Sequence, residues 1–435
     1  MAAVAISVGF AAMGGSPAVG AGGTPPTAME SDPKAVGWMQ GHPPRPDKTI
    51  RASDSDAFSF PKLRWTVCHV RELLPTAGVG RGEGGPVPFG RALDGDIDRV
   101  EFTPLGGGRP MTWEASLAAN YTDGILVLHR GKVVYERYFG CLDEAGKHVA
   151  MSLTKSVVGL LGEALVAEGI VDENAEVRSI VPELAGSAFG DATVRQVLEM
   201  TTGLRYSEKY SDPDADVWRY AKASSPLPKP SGYDGPDGVF DFLKTVRPEG
   251  AHGGAFAYKT VNAEALGWIV ARATGKSVAE LASERIWGRM GAEQDGYFNV
   301  DSLGTPIAGG GLSAGLRDLA RVGQLALDGG RINGRQIVPE AAIERIRRGG
   351  DKRAFAKAGY RLLEGWSYRG MWWVTHNEHG AFMARGIHGQ AIYVDPAAEM
   401  VIARFASHPV ADNSANDPTS LPAYHAVAMH LMQKR

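Results

Sequence analysis

Hydrophobic positions along this chain change period twice, and those changes predict most of its elements. From Gly124 the run Ile125-Leu126-Val127-Leu128 is followed by His129-Arg130-Gly131-Lys132 and then Val133-Val134-Tyr135. Two β-rich runs around a glycine turn predict a hairpin. Over residues 155–168 the spacing becomes helical, with Val158, Leu161 and Leu165 on one face and Gly169 placed to end it. Further helices are expected at 194–200, capped by Thr193 and ended by Gly203, and at 262–273, with Leu266, Ile269 and Val270 inward. Ser277 and Glu280 form a capping box for the next helix, and 316–327 is stopped by Gly329-Gly330. Short strands return at 371–375, 391–395 and 400–405, before a last helix at 423–432. Residues 207–238, rich in Pro, Asp, Ser and Gly, read as surface loops. Residues 14–60 lack periodicity and read as linker or surface wrap, with order expected from about Trp65. Strands at both ends with helices between them predict an α+β fold, one antiparallel sheet flanked by helices beside a helical second region.

Composition narrows the class without changing this picture. At 435 residues, 44% apolar and 22% charged, the chain can bury a sizeable core as one large domain or two. A net charge of −3 with no basic run argues against a nucleic-acid surface. No apolar stretch is long enough to span a membrane. The first residues are small and apolar, and Val19-Gly20-Ala21 could be cleaved, yet the first charged side chain is Glu30 and no basic n-region precedes it. Export to the periplasm or beyond and a cytoplasmic location are equally open. Cys68 and Cys141 are too few for a disulfide framework or a Cys-rich metal site, and whether they pair is open. Oligomeric state, a homodimer included, is also open.

Three segments carry candidate chemistry. In Ser152-Leu153-Thr154-Lys155 the serine stands where a helix begins and the lysine follows one turn later on the same face. A partly buried ammonium near the positive end of a helix can be tuned into a base for that hydroxyl, and the helix terminus offers N–H groups to an oxyanion. Alone, such a tetrad is better explained by a cap and a solvated lysine. Tyr258, in Tyr258-Lys259-Thr260-Val261-Asn262, lies just before a helix; beside a cation its phenolate would be favoured and could shuttle protons. Gly386-Ile387-His388-Gly389-Gln390 leads into a strand, where the glycines allow a close backbone approach to a substrate. Gly311-Leu312-Ser313-Ala314-Gly315 matches the G-x-S-x-G pattern, but Pro306-Ile307-Ala308-Gly309-Gly310 before it does not read as a strand, so Ser313 is taken as the cap of the 316–327 helix. Metal is not expected: His376 and His379 are three apart with no third ligand in view, and no phosphate loop or dinucleotide fingerprint occurs.

With these residues in place the chain resembles the penicillin-recognising serine hydrolases, in the class C β-lactamase-like branch that holds 6-aminohexanoate-dimer hydrolases and related carboxylesterases. The likeness covers about residues 65–432. It rests on Met151-Ser152-x-x-Lys155-Ser156, Val181 to Ser187, Tyr206 to Pro213, Tyr258-x-x-x-Asn262, Gly310-Gly311-x-x-Ser313 with Asp318 to Gly323, and the 386–390 run. The resemblance implies Ser152 as nucleophile, Lys155 and Tyr258 as its proton partners, and an oxyanion hole from the N–H groups of Ser152 and Ile387. It implies that Tyr210 meets the leaving nitrogen, that His388 and Gly389 contact substrate, and that no cofactor is needed. The expected division is a leader and flexible segment over 1–60, a catalytic domain from 61–190 and 251–435, and a helical, loop-rich insertion at 191–250 covering the cleft. Two departures stand out. The Lys-Thr-Gly strand motif of true β-lactamases is replaced by Ala384-Arg385-Gly386, or by His388-Gly389 in a shifted alignment, which removes an anchor for a penicillin carboxylate. Ala221 aligns where the nylon-oligomer hydrolases carry an acidic group for the substrate's ammonium end, with Asp212, Asp214 and Asp216 nearby as substitutes.

The expected activity is therefore metal-free hydrolysis of amide bonds in small linear substrates through an acyl-enzyme. A short-chain carboxylesterase is the nearest alternative, followed by a β-lactamase or D,D-peptidase and a non-catalytic peptide-binding relative.

Overall fold

The computed structural model describes residues 24–210 and 212–434, so the cleavage motif at 19–21 lies outside the described residues. The strands of its two larger sheets, in chain order, are β1 Thr76–Val79, β2 Gly90–Arg91, β3 Thr122–His129, β4 Lys132–Tyr138, β5 His148–Val149 and β6 Gly296–Asn299. Then come β7 Leu312–Ala314, β8 Ser367–Arg369, β9 Trp372–Val374, β10 Phe382–Gly386, β11 Gln390–Asp395 and β12 Met400–Ala406. The helices that matter for the site are α1 Thr154–Ala167, α2 Val194–Leu198, α3 Asp216–Ser224, α4 Val261–Thr274, α5 Leu316–Leu327 and α6 Asp417–Gln433.

The main sheet has the order β8-β9-β10-β11-β12-β3-β4-β2, antiparallel throughout except for the parallel β2–β4 edge. It is built from both ends of the chain, because β12 pairs with β3, Ile402 opposite Val127. The predicted hairpin is β3–β4; Arg130 and Gly131 both have positive φ, the backbone a two-residue turn needs to match strand twist. β3, β11 and β12 read as continuous apolar runs because both faces are covered. On one face Tyr424 of α6 meets the ring of Tyr393 at 5.4 Å. On the other, Gly323 of α5 lies against Ile392, the neighbouring residue that points the opposite way. The result is the expected α+β arrangement.

Several expectations need correcting. Residues 216–224 are not loop: Val217, Tyr220, Ala221 and Ser224 recur at helical spacing and are buried, a short pattern hidden by the Pro- and Asp-rich flanks. The helical layer also runs past 250, since α4 packs against α1 and α2. A second sheet, β1-β6-β7-β5, was not foreseen; its strands are two to four residues long and carry too little alternation to detect. Order begins well before Trp65. Ile50, Phe58 and Leu63 are buried in an apolar cluster that also takes in Val149, Met151 and Ala221, so the described N-terminal segment wraps the back of the Ser152 turn. Cys68 and Cys141 are joined, 73 residues apart in sequence, and fasten this wrap to the loop after β4.

No helix among the described residues is long and apolar enough to cross a membrane.

Candidate active site

β5 runs towards α1 and the chain turns sharply between them. Met151, buried at 1% exposure, takes φ +49°, a left-handed conformation that non-glycine residues adopt at a cost, and Ser152 follows on the one-turn 3₁₀ segment Met151–Leu153. Thr154 anchors the turn by accepting the Leu312 N–H at 3.1 Å, and Ser156 donates to the Met371 carbonyl at 2.7 Å. Lys155, on the first turn of α1, is 1% exposed and donates to Ser152 Oγ at 2.8 Å and to the Gly309 carbonyl at 2.5 Å. Burial favours the neutral amine and lowers the Lys155 pKa to about 8, against the opposing pull of Glu208 and Glu264.

Tyr258 stands on the other side of the serine. The Lys155 ammonium lies 5.2 Å from its ring centroid, over the face, and Trp373 stacks on it at 5.6 Å. A favoured phenolate was expected here. Instead burial, reinforced by the charge of Glu208, pushes the Tyr258 pKa far up, while its hydrogen bond with Ser152 only partly opposes this. Tyr258 is a neutral phenol at any physiological pH, so it is equipped to donate a proton.

The end of β10 closes the third side. A Cβ on Gly386 would lie 2.7 Å from the Ala150 carbonyl oxygen, so glycine alone lets the strand approach the Ser152 turn. Ile387 follows at the cleft wall. His388 and Gly389 turn away. His388, at φ +63° and 3% exposure, directs Nδ1 to the His408 carbonyl at 2.6 Å, and its N–H donates to the Ala411 carbonyl at 3.0 Å. The Gly389 carbonyl accepts from Arg404 Nε at 2.8 Å. Neither residue lines a cavity containing Ser152, so the expected substrate contacts become a structural tie to the 408–411 loop. Of the two alignments for the missing cationic motif, Arg385 is the one at the cleft; its guanidinium pairs with Asp417 and lies 5.1 Å from the Trp373 ring centroid.

Tyr210 is brought to the site and donates to Glu208 Oε1 at 2.8 Å. Glu208 also accepts from the Thr260 N–H at 2.6 Å and the Thr260 hydroxyl at 2.5 Å, which locks the Tyr210 loop to the start of α4. Beneath Lys155, the buried Glu264 accepts the N–H groups of Ala308 and Gly309 at 3.0 and 2.8 Å and the Tyr220 hydroxyl at 2.5 Å. It thereby fixes the Gly309 carbonyl that receives Lys155. Burial raises the Glu264 pKa to about 7 in spite of those donors. Sequence reasoning missed both glutamates. Glu264 lies two residues beyond Asn262 within a helix that otherwise reads as core, and nothing local marks it.

Two cavities meet at Ser152, one of about 60 Å³ and one of about 790 Å³. Ser313 reaches neither. It lies inside β7, fully buried between Tyr297 and Val149, so it is a strand residue and not a helix cap; Gly315 holds the cap position of α5. Metal-type side chains gather elsewhere among the described residues: Glu378, His379 and His425 come together where the loop after β9 meets α6. His425 and Glu378 thus supply partners for His379 that spacing did not reveal, while His376 faces Ser367 at 2.7 Å. None of these four residues lines either cavity at Ser152.

The Beta-lactamase family model matches residues 115–423, from before the first long strand into α6. The chain belongs to the beta-lactamase family. Within that family, the 6-aminohexanoate-dimer hydrolase of Paenarthrobacter ureafaciens is 35% identical over 354 residues, covering 81% of this chain and 87% of its own. A solved Bacillus anthracis structure, provisionally named a 6-aminohexanoate-dimer hydrolase, superposes with a TM-score of 0.78 at 33% identity, covering 87% of this chain and 96% of its own. A family VIII carboxylesterase shares the fold, with a TM-score of 0.52 at 16% identity over 78% of this chain and all of its own. The protein is a serine hydrolase of the beta-lactamase family.

Proposed function

We propose that Ser152 is the nucleophile of an amide hydrolase acting on small linear substrates through an acyl-enzyme. The single observation that carries this is Lys155: a buried amine 2.8 Å from Ser152 Oγ with its pKa drawn down to about 8. A usable neutral fraction therefore exists near pH 7, as a general base requires. Neutral Lys155 takes the hydroxyl proton as Oγ forms its bond to the carbonyl carbon. The oxyanion is received by the N–H groups of Ser152 and Ile387. When the C–N bond breaks, Tyr258 gives its proton to the leaving nitrogen and recovers one from Lys155. Tyr210, at the mouth of both cavities, positions that nitrogen. Water then attacks the ester carbon, its proton passing to neutral Lys155, which returns that proton to Ser152 Oγ as the carbon–oxygen bond to Ser152 breaks and the acid is released. No step calls on a cofactor.

Residues 191–250 act as the cover of the cleft, a role supported by Tyr210, Val217, Trp218 and Ala221 in the cavity walls. The name of the 35% identical relative supports amide over ester chemistry. The second reading, a short-chain carboxylesterase, rests on the same Ser152–Lys155 pair, because an alkoxide leaves with less need of a proton from Tyr258 than an amine does. Labelling with a fluorophosphonate, followed by rates on one acyl group presented as amide and as p-nitrophenyl ester, tests both. Labelling at Ser152 with turnover of both substrates is expected. Labelling elsewhere overturns the assignment of the nucleophile, and turnover of the ester alone hands the function to the second reading.

A further inference from the structure

The two cavities at Ser152 differ in size and in charge, and the difference bears on what each can hold. Tyr258 lines the larger one and not the smaller. A leaving nitrogen that takes its proton from Tyr258 departs on that side, which leaves the smaller cavity for the acyl half. The smaller cavity is walled mainly by Met151, Val217, Trp218, Ala221, Ile307 and Ile387, and no charged side chain lines it. The carboxylates closest in sequence are engaged elsewhere: Asp216 accepts the Ser207 N–H at 3.0 Å and pairs with Arg219, and Asp212 accepts the Asp214 N–H at 3.0 Å. Neither they nor Asp214 enter the wall. An ammonium placed there would be stripped of water with no anion to meet it. The larger cavity carries charge of both signs. Of its carboxylates, Glu208 accepts from Tyr210 and Thr260, Asp417 pairs with Arg385 and Asp412 accepts the Ser414 N–H, whereas Lys209 and Arg361 line it without taking part in an ion pair among the described residues.

We infer that the acyl half of the substrate is a short, uncharged apolar chain held in the smaller cavity, and that the leaving amine carries a carboxylate into the larger one towards Lys209 and Arg361. This rests on the reading of Ser152 as nucleophile and Tyr258 as proton donor. The substrate class is then an N-acylated amino acid whose acyl group is short and neutral, rather than a dimer that begins with a free ammonium. At about 60 Å³, against roughly 10–15 Å³ for one water by the same measure, the cavity has room for a short acyl chain.

The decisive pair is p-nitrophenyl butyrate and p-nitrophenyl β-alaninate, equal in length, with an ammonium replacing the terminal methyl. The butyryl ester should have the higher kcat/KM by on the order of 10²-fold. Equal rates, or a faster β-alanyl ester, would overturn the acyl assignment. Because these esters are activated, the outcome is readable even if amide turnover fails, and that failure alone counts against the amide reading. Turnover of neither ester refutes the nucleophile assignment and this inference with it. Ala221→Asp should shrink the butyryl preference; if that variant does not fold, the wild-type pair still decides. For the leaving half, N-butyryl-6-aminohexanoate should exceed its methyl ester in kcat/KM by about tenfold, with the gap narrowing as salt is added. Equal rates for acid and methyl ester would overturn the carboxylate assignment.

Discussion

Two serines lie close to helix starts beside the same small sheet. Ser152 follows β5 and leads into α1; Ser313 sits in β7, three residues ahead of α5. Val149, next to the Ser152 turn, is the direct register partner of Ser313. The surroundings nevertheless diverge completely. Ser152 is half-buried, opens on two cavities and has an amine 2.8 Å from its oxygen. Ser313 is fully buried and carries the more familiar glycine-flanked pattern. What makes a hydroxyl a nucleophile is access together with a tuned proton acceptor, and sequence spacing bears on that only where it brings both about.

The comparison can be broken most directly at Ser152 itself. Ser152→Ala should lower kcat by on the order of 10⁴-fold or more, with unchanged far-UV circular dichroism and loss of fluorophosphonate labelling. Residual labelling at Ser313 would reverse the roles of the two serines. Tyr258→Phe keeps the ring that stacks on Trp373 and removes the hydroxyl, with its proton and its hydrogen bond to Ser152, so a loss of roughly 10²- to 10⁴-fold on amides is expected. A smaller loss on activated esters should accompany it, since p-nitrophenolate leaves without a proton.

Tyr210→Phe sharpens the same distinction. It leaves attack and oxyanion stabilisation intact, so amide rates should fall by up to roughly 10²-fold while ester rates persist. Equal loss on both substrates would make Tyr210 a packing residue that holds Glu208. The next effect is in pH. With Lys155 as base, kcat/KM rises as its ammonium deprotonates, through about pH 8. Glu264 raises the Lys155 pKa, so Glu264→Gln removes that pull and should move the rise to lower pH, measured as the midpoint of the pH–rate profile. A midpoint that stays put, or moves up, would mean that Lys155 is not the titrating base. The smallest effect belongs to Ser313→Ala: unchanged turnover and a stability loss of about 1 kcal/mol or less by urea unfolding.

The elements with long, regular patterns were legible without coordinates. Helix α5 spans the very residues its periodicity marks, the Thr193 cap and the Ser277 capping box both form, and the β3–β4 hairpin turns where Gly131 says it should. The short ones were not. α3 has only nine residues between turn-forming flanks, and β5 and β7 show no alternation at two and three residues. At the site, Ser152, Lys155, Tyr258, Tyr210 and Ile387 were each singled out from local motif and family likeness, and the fold brings them together. His388 and Gly389 were drawn in by their place in the same motif, yet neither lines a cavity at Ser152; His388 meets the His408 carbonyl and the Gly389 carbonyl meets Arg404.

Taken alone, the sequence determined what depends on neighbours a few residues apart: helix faces, caps, the hairpin turn, and the one-turn spacing that puts Lys155 beside Ser152. Only the tertiary structure decided what depends on burial and on distant partners. It removed water from Lys155 and so lowered its pKa, and by the same burial it kept Tyr258 a phenol where a phenolate was expected. It also brought Glu208 and Glu264 to the site, buried Ser313, and left the acyl pocket without a charge. Solvent exclusion is a property of the packed chain as a whole, and no window of sequence contains it.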